Sequence, residues 1–192
     1  MRRVCLADAV LQSERLELRV PQRGDLTWQI EHLNTAAVMR DLGGVRAPDA
    51  VAAGFEANAA ALLRGEPGFW TVVRRNDQVL VGKCGLSIIE TQAAPDPLLG
   101  GIQIGWSLAE AFWGQGLASE AARLVIDHAF SVRRLDVLWS QTSDSNQASS
   151  RMMARLGFER CSALDYTDPD YPPADNPTTV YRMKRVDWAK RT

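Results

Sequence analysis

Cysteine is scarce in this chain of 192 residues: only Cys5, Cys84 and Cys161 occur. An odd number, widely spaced and without a CxxC pair, excludes a disulfide framework and a cysteine zinc site, and it fits a reducing compartment. No stretch approaches the roughly 20 apolar residues that a membrane span needs. The opening "MRRVCLADAVLQSERLEL" has two arginines, but Asp8 breaks its one apolar run, so it reads poorly as a signal peptide. A surplus of charge of either sign is also missing. Lys plus Arg is 22 and Asp plus Glu is 23, a formal net charge of -1. That balance lacks the basic excess of a nucleic-acid binder. Together these absences predict a cytoplasmic protein with no metal, nucleic-acid or membrane partner.

What is present is an ordinary globular composition, 46% hydrophobic, in a chain long enough for one domain with a sizeable core. No repeat or linker divides it, so residues 1–192 are taken as one domain. "RLELRVP" alternates Leu16, Leu18 and Val20 and predicts a strand closed by Pro21 and Gly24. Asp25 is placed to cap one long helix running to Gly43 and Gly44. Pro48 opens a second helix reaching Gly65. "FWTVVRR" and "QVLVGKCGLSII" predict a hairpin around "NDQ". "IQIGWSL", the helix "LASEAARLVIDHAFS" and "LDVLWSQT" then form a strand-helix-strand unit, whose right-handed crossover makes its strands parallel. A polar turn, "SDSNQ", leads to the helix "ASSRMMARLG". "FERCSALDY" and "TTVYRMKRVDW" predict two last strands around the loop "TDPDYPPADNP". The fold class is α/β (α+β), a mixed and mostly antiparallel sheet covered by helices.

The segment "AFWGQGLASEA" sets Gly114 and Gly116 directly ahead of a helix. Helix N-termini carry unpaired N–H groups and partial positive charge, and glycine lets an anion approach the backbone. Gly114, Gln115, Gly116, Leu117 and Ala118 therefore form a candidate phosphate cradle, or else a tight turn with no ligand. Spacing alone leaves both open. GxxxxGK[ST] is absent, "GQGLAS" breaks GxGxxG at its third glycine, and no acidic residue follows where a ribose would need one.

"IGWSLAEAFWGQGLASEAARLVIDHAF" followed by "NQASSRMMARLGF" resembles the GCN5-related N-acetyltransferases, nearest the branch that acetylates N-termini of ribosomal proteins. "SERLELRVPQRGDL" and "VYRMKRVDW" extend the resemblance more weakly over most of the chain. The resemblance implies that fold, with two parallel strands splayed at a cofactor cleft, and acetyl-CoA as cofactor. It implies that Trp113, Gly114, Gln115, Gly116, Leu117, Ala118 and Ser119 hold the pyrophosphate. Trp113 replaces the family's usual Gln or Arg at the first loop position. Trp106, Ser107 and Leu108 would pair with the pantetheine arm, and Asn146 would bond it from the other side.

Moving an acetyl group from a thioester to an amine needs a proton acceptor, an oxyanion donor and a proton for sulfur. Direct attack through a tetrahedral intermediate needs no cysteine nucleophile. By resemblance, Met153 stands where many members have a proton-donating tyrosine, and Ser149 is the candidate that replaces it. Its alternative role is a cap bond to the backbone. The resemblance also puts Gln103 where a glutamate is common; Asp168, where this branch often carries an acidic residue, and Asp170 are the carboxylates that could face the cleft as base, or a water chain serves. Asp165, Asp168, Asp170 and Asp175, interleaved with Tyr166 and Tyr171, would attract a cationic amine, or else form a solvated loop. Trp28, His32 and Tyr166 are candidate acceptor contacts; His128, in helical step with Leu117, Leu124 and Val125, reads as a core histidine. Cys84 and Cys161 read as core filler. The acceptor is expected to be a peptide or protein N-terminus, or a small amine such as a polyamine or aminoglycoside. A non-catalytic acyl-CoA-binding module and a nucleotide-binding protein are the alternatives. The oligomeric state is expected to be monomer or homodimer.

Overall fold

Eight strands make one sheet in the order β1-β2-β3-β4-β5-β6-β8-β7, and every neighbouring pair but one is antiparallel. The computed structural model describes residues 10–190. Cys5 and Asp8 lie outside the described residues. Strands β1 (Leu11–Gln12), β2 (Leu16–Arg19), β3 (Phe69–Arg74), β4 (Val79–Ile88) and β5 (Ile102–Leu108) form the first half. Strands β6 (Val137–Ser143), β7 (Glu159–Arg160) and β8 (Thr178–Lys184) form the second. Strands β5 and β6 are the parallel pair, as the crossover rule requires for a strand-helix-strand unit. No described helix is long and apolar enough to cross a membrane.

Helix α4 (Leu117–Asp127) supplies that crossover. Leu117, Ala121, Ala122, Val125 and Ile126 form its buried stripe, at the spacing that puts one helix face on a sheet. They pack against Leu16, Leu18, Val72, Cys84, Leu86, Ile104 and Leu138 in the main core. His128 is buried in this region, its ring edge-on to Trp70 at 5.2 Å. Helix α5 (Gln147–Leu156) adds Met152, Met153 and Leu156. A smaller cluster of Ile89, Ala94, Leu98, Trp139 and Val180 is joined by partly buried Cys161 and Tyr166.

Three sequence expectations need correction. The first helix breaks into α1 (Asp25–Leu33) and α2 (Ala36–Met39). The cause is Asn34, whose amide clasps the Arg46 backbone through two bonds of 2.8 and 2.9 Å, while Thr35 accepts the Val38 N–H and caps α2. Asp25 does not cap α1; it is buried and takes both arms of the Arg19 guanidinium at 2.6 and 2.9 Å. "FERCSALDY" holds only the two-residue β7, because a turn of 3-10 helix over Ser162–Leu164 follows and Arg160 pairs with Asp165. Helix α3 (Pro48–Leu63) begins at its proline as expected, and "RVDW" forms a short helix, α6 (Arg185–Trp188).

Candidate active site

Strands β5 and β6 part just past a side-chain bond that bridges them. β5 and β6 share one paired position, Gln103 with Trp139. One residue further along β6, the buried Ser140 hydroxyl donates to the Ile104 carbonyl at 3.2 Å, taking a bond that a backbone amide would otherwise make. Beyond it the strands are unpaired. The Ala109 amide donates to Val81 on β4. Antiparallel alternation therefore turns Ser107's backbone towards β4, and turns the N–H groups of Trp106 and Leu108 into the gap. The Leu108 carbonyl accepts the Trp113 indole N–H at 2.7 Å, which pins that half-exposed ring at the rim. Of the three strand residues proposed to meet a bound arm, Trp106 and Leu108 present backbone to the gap and Ser107 does not.

The glycine stretch stands at the same end. Gly114 and Gly116 have φ of +74 and +75°, the left-handed region that favours glycine. They turn the chain into α4 with its first amides outward. The amides of Gly114, Gln115, Gly116, Leu117, Ala118 and Ser119 donate to no other described residue. A Cβ on Gly114 would meet nothing within 4 Å, and one on Gly116 only Arg15 at 3.7 Å. No side chain of the described residues plugs this mouth. Arg15 braces it: the guanidinium donates to the Gln115 carbonyl at 3.2 Å and pairs with Glu120 in the first turn of α4. Burial raises the Glu120 carboxyl, but bonds from Ser13 and Arg15 outweigh it and hold the group below its ordinary range.

Asn146 caps α5, its Oδ1 accepting the Ser149 N–H at 3.1 Å. That leaves the Asn146 amide nitrogen unengaged among the described residues. The Ser149 hydroxyl likewise has no described partner, so it is not spent on a cap bond. Both residues line a cleft of about 1150 Å³ with Trp106, Trp113, Gly116 and Ala118.

The far half of the cleft is roofed by the turn between α2 and α3. Asp41 accepts from Ser145 at 3.0 Å, and buried Asp175 accepts the Gly43 N–H at 3.0 Å. Asp168 is buried; its Oδ1 accepts the Asp170 N–H at 3.1 Å and the Thr91 hydroxyl at 3.4 Å. Tyr166 donates to Gln141 at 3.0 Å, and burial pushes its phenol up to about 12, so it stays protonated. Tyr166, Asp168 and Gln103 line this half. Trp28 and His32 do not; their rings meet each other at 5.1 Å on α1, and Gln29 and Leu33 are the cleft residues of that helix. Burial raises the thiol pKa of Cys84 and, to a lesser extent, that of Cys161, so neither is an activated nucleophile.

Sequence reasoning passed over Lys83, Gln141 and Arg15. Lys83 was the legible one: a lone cation inside the apolar run "VLVGKCGLSII".

An acetyltransferase (GNAT) domain model matches residues 15–159. The protein named uncharacterized N-acetyltransferase p20, from Bacillus licheniformis, is 27% identical over 105 residues, 54% of this chain and 56% of that protein. The chain thus aligns with about half the length of that relative. An acetyltransferase structure from Agrobacterium tumefaciens superposes with a TM-score of 0.74 at 24% identity, covering 91% of this chain and 93% of that one. RimL, the ribosomal L7/L12 alpha-N-protein acetyltransferase in complex with coenzyme A, gives 0.73 at 20% identity, covering 91% and 97%. Splayed strands, glycine turn and matched model agree: the chain belongs to the acetyltransferase (GNAT) domain family.

Proposed function

We propose that this chain transfers the acetyl group of acetyl-CoA to a primary amine. The observation that carries the proposal is the mouth of α4, where six consecutive amides have no described partner and two left-handed glycines expose them. A pyrophosphate fits that array, which needs no basic side chain beyond the bracing Arg15. Trp113, Gly114, Gln115, Gly116, Leu117, Ala118 and Ser119 would hold it. The edges of Trp106 and Leu108, and the free amide of Asn146, would hold the arm. Bound acetyl-CoA supplies an acetyl group activated as a thioester.

The chain's own residues do the rest. The Trp106 and Leu108 N–H groups face the gap and are the donors for charge developing on the carbonyl oxygen. The Ser149 hydroxyl is the proton donor for the departing sulfur. Asp168, which lines the cleft, receives the amine proton. Tyr166 and Asp175 complete that wall. A peptide or protein N-terminus is the first acceptor class to test, because RimL, which shares the fold, is an alpha-N-protein acetyltransferase. Small amines are the second.

The test is thiol release from acetyl-CoA over a panel of peptides and small amines. Turnover on at least one amine is expected, with stabilisation by coenzyme A and none by ATP or NAD. Coenzyme A binding without turnover on any amine would leave a non-catalytic binding module, the alternative that Gln103 and Met153 favour.

A further inference from the structure

Two cations that line the cleft, Lys83 and Arg46, meet no carboxylate among the described residues. Lys83 stands mid-strand on β4, paired with Thr71 on β3 and Ser107 on β5, so these three side chains share one face of the sheet. α1 and α3 cover that face: Thr71 bonds Asp25 of α1, and Asn58 of α3 clasps the Phe69 backbone through two bonds of 2.7 and 2.8 Å. The Lys83 ammonium lies 5.6 Å from the Phe69 ring centroid. Arg46 lines the same cleft from the clasped turn before α3. Burial lowers the proton affinity of Lys83, and Arg46 lowers it further.

Neither cation pairs with a carboxylate among the described residues. The carboxylate on that face, Asp25, is saturated by Arg19, the Gln22 N–H and Thr71. A half-buried lysine that shares a cleft with an arginine loses hydration, and the ring of Phe69 offsets only part of that. An anion at the Lys83 ammonium offsets that cost. Asp168 and Asp175 line the same cleft with the opposite sign. The cleft thus carries charges of both signs.

We propose that the acceptor carries, besides its amine, a carboxylate or phosphate group held by Lys83 and Arg46. This rests on the amine-acetylation proposal and narrows it to zwitterionic acceptors. The probes are matched pairs: amino acids against their amides, and aminoalkyl phosphates against the corresponding amino alcohols. Their N-acetylated forms are used for binding.

With coenzyme A present, the anionic N-acetyl compounds are expected to raise the melting temperature and the uncharged partners are not. The larger shift of the two anionic series tells carboxylate from phosphate. Lys83→Met is expected to abolish the difference and Lys83→Arg to keep it, with unchanged circular dichroism and coenzyme A affinity as folding controls. In turnover, kcat/KM is expected to favour the anionic member by about tenfold or more, the loss in Lys83→Met falling on KM. Equal stabilisation within each pair, or a preference that survives Lys83→Met, overturns the inference. Lys83-dependent anion binding without acetylation of any amine upholds the site and refutes the activity. Acetylation without charge preference does the reverse.

Discussion

Replacing Gly116 with valine separates the binding role of the α4 mouth from its folding role. At φ +75° a side chain is strained whatever the space around it. The strain costs about 1–2 kcal/mol. For a chain of this size that lowers the melting temperature by roughly 2–4 °C per kcal/mol. Packing adds little, since the nearest atom to the new Cβ is Arg15 Nη2 at 3.7 Å, the end of a flexible side chain. Binding suffers more. The isopropyl group stands over amides that otherwise face the pyrophosphate, and each hydrogen bond to a charged group contributes about 1.5–3 kcal/mol. Losing two weakens coenzyme A affinity by roughly 100-fold or more. Gly100→Val is the control: its φ is +78°, nothing lies within 4 Å of its Cβ, and it is outside the cleft. Both variants should melt lower by similar amounts, and only Gly116→Val should lose affinity in isothermal titration. Wild-type affinity in Gly116→Val, with the melting shift present, refutes the reasoning.

Ser149→Ala should lower kcat by about 100-fold while leaving the coenzyme A Kd within twofold, because the hydroxyl has no structural partner. Stopped thiol release and titration give the two numbers, and a changed Kd with normal kcat removes Ser149 from proton transfer. Asp25→Asn should cost about 3 kcal/mol in urea unfolding at pH 7, because Arg19 loses a buried partner. Burial raises the Asp25 carboxyl, but Arg19, the Gln22 N–H and Thr71 together hold it below the ordinary range. Its contribution is therefore complete above the unfolded-state value and fades as pH falls through the folded one. The gap between wild type and Asp25→Asn should narrow from pH 5 towards pH 2; a constant gap contradicts the pairing.

The elements with a clear period were legible in the sequence. Alternation placed β2, and the strand-helix-strand unit placed β5, α4 and β6. Errors came where a long-range partner captured a residue with two local uses. Asn34 fits a helix interior until Arg46, twelve residues on, takes its amide. Asp25 looks like a cap until Arg19 claims both oxygens. The glycine mouth was visible because left-handed turns and helix starts are local. Of the acceptor wall, Tyr166 and Asp168 were named from the resemblance, whereas Lys83 and Arg46 were not, because they come from separated segments that the fold brings to one cleft.

The central claim is that free amides at the start of α4 grip a pyrophosphate, and amide chemical shifts report on it directly. In a nitrogen-15 spectrum titrated with coenzyme A, the signals of Gly114, Gln115, Gly116, Leu117, Ala118 and Ser119 should move downfield and saturate together. Pantetheine, which lacks the pyrophosphate, should leave them in place. If coenzyme A binds and these six signals stay where they were, the account is wrong.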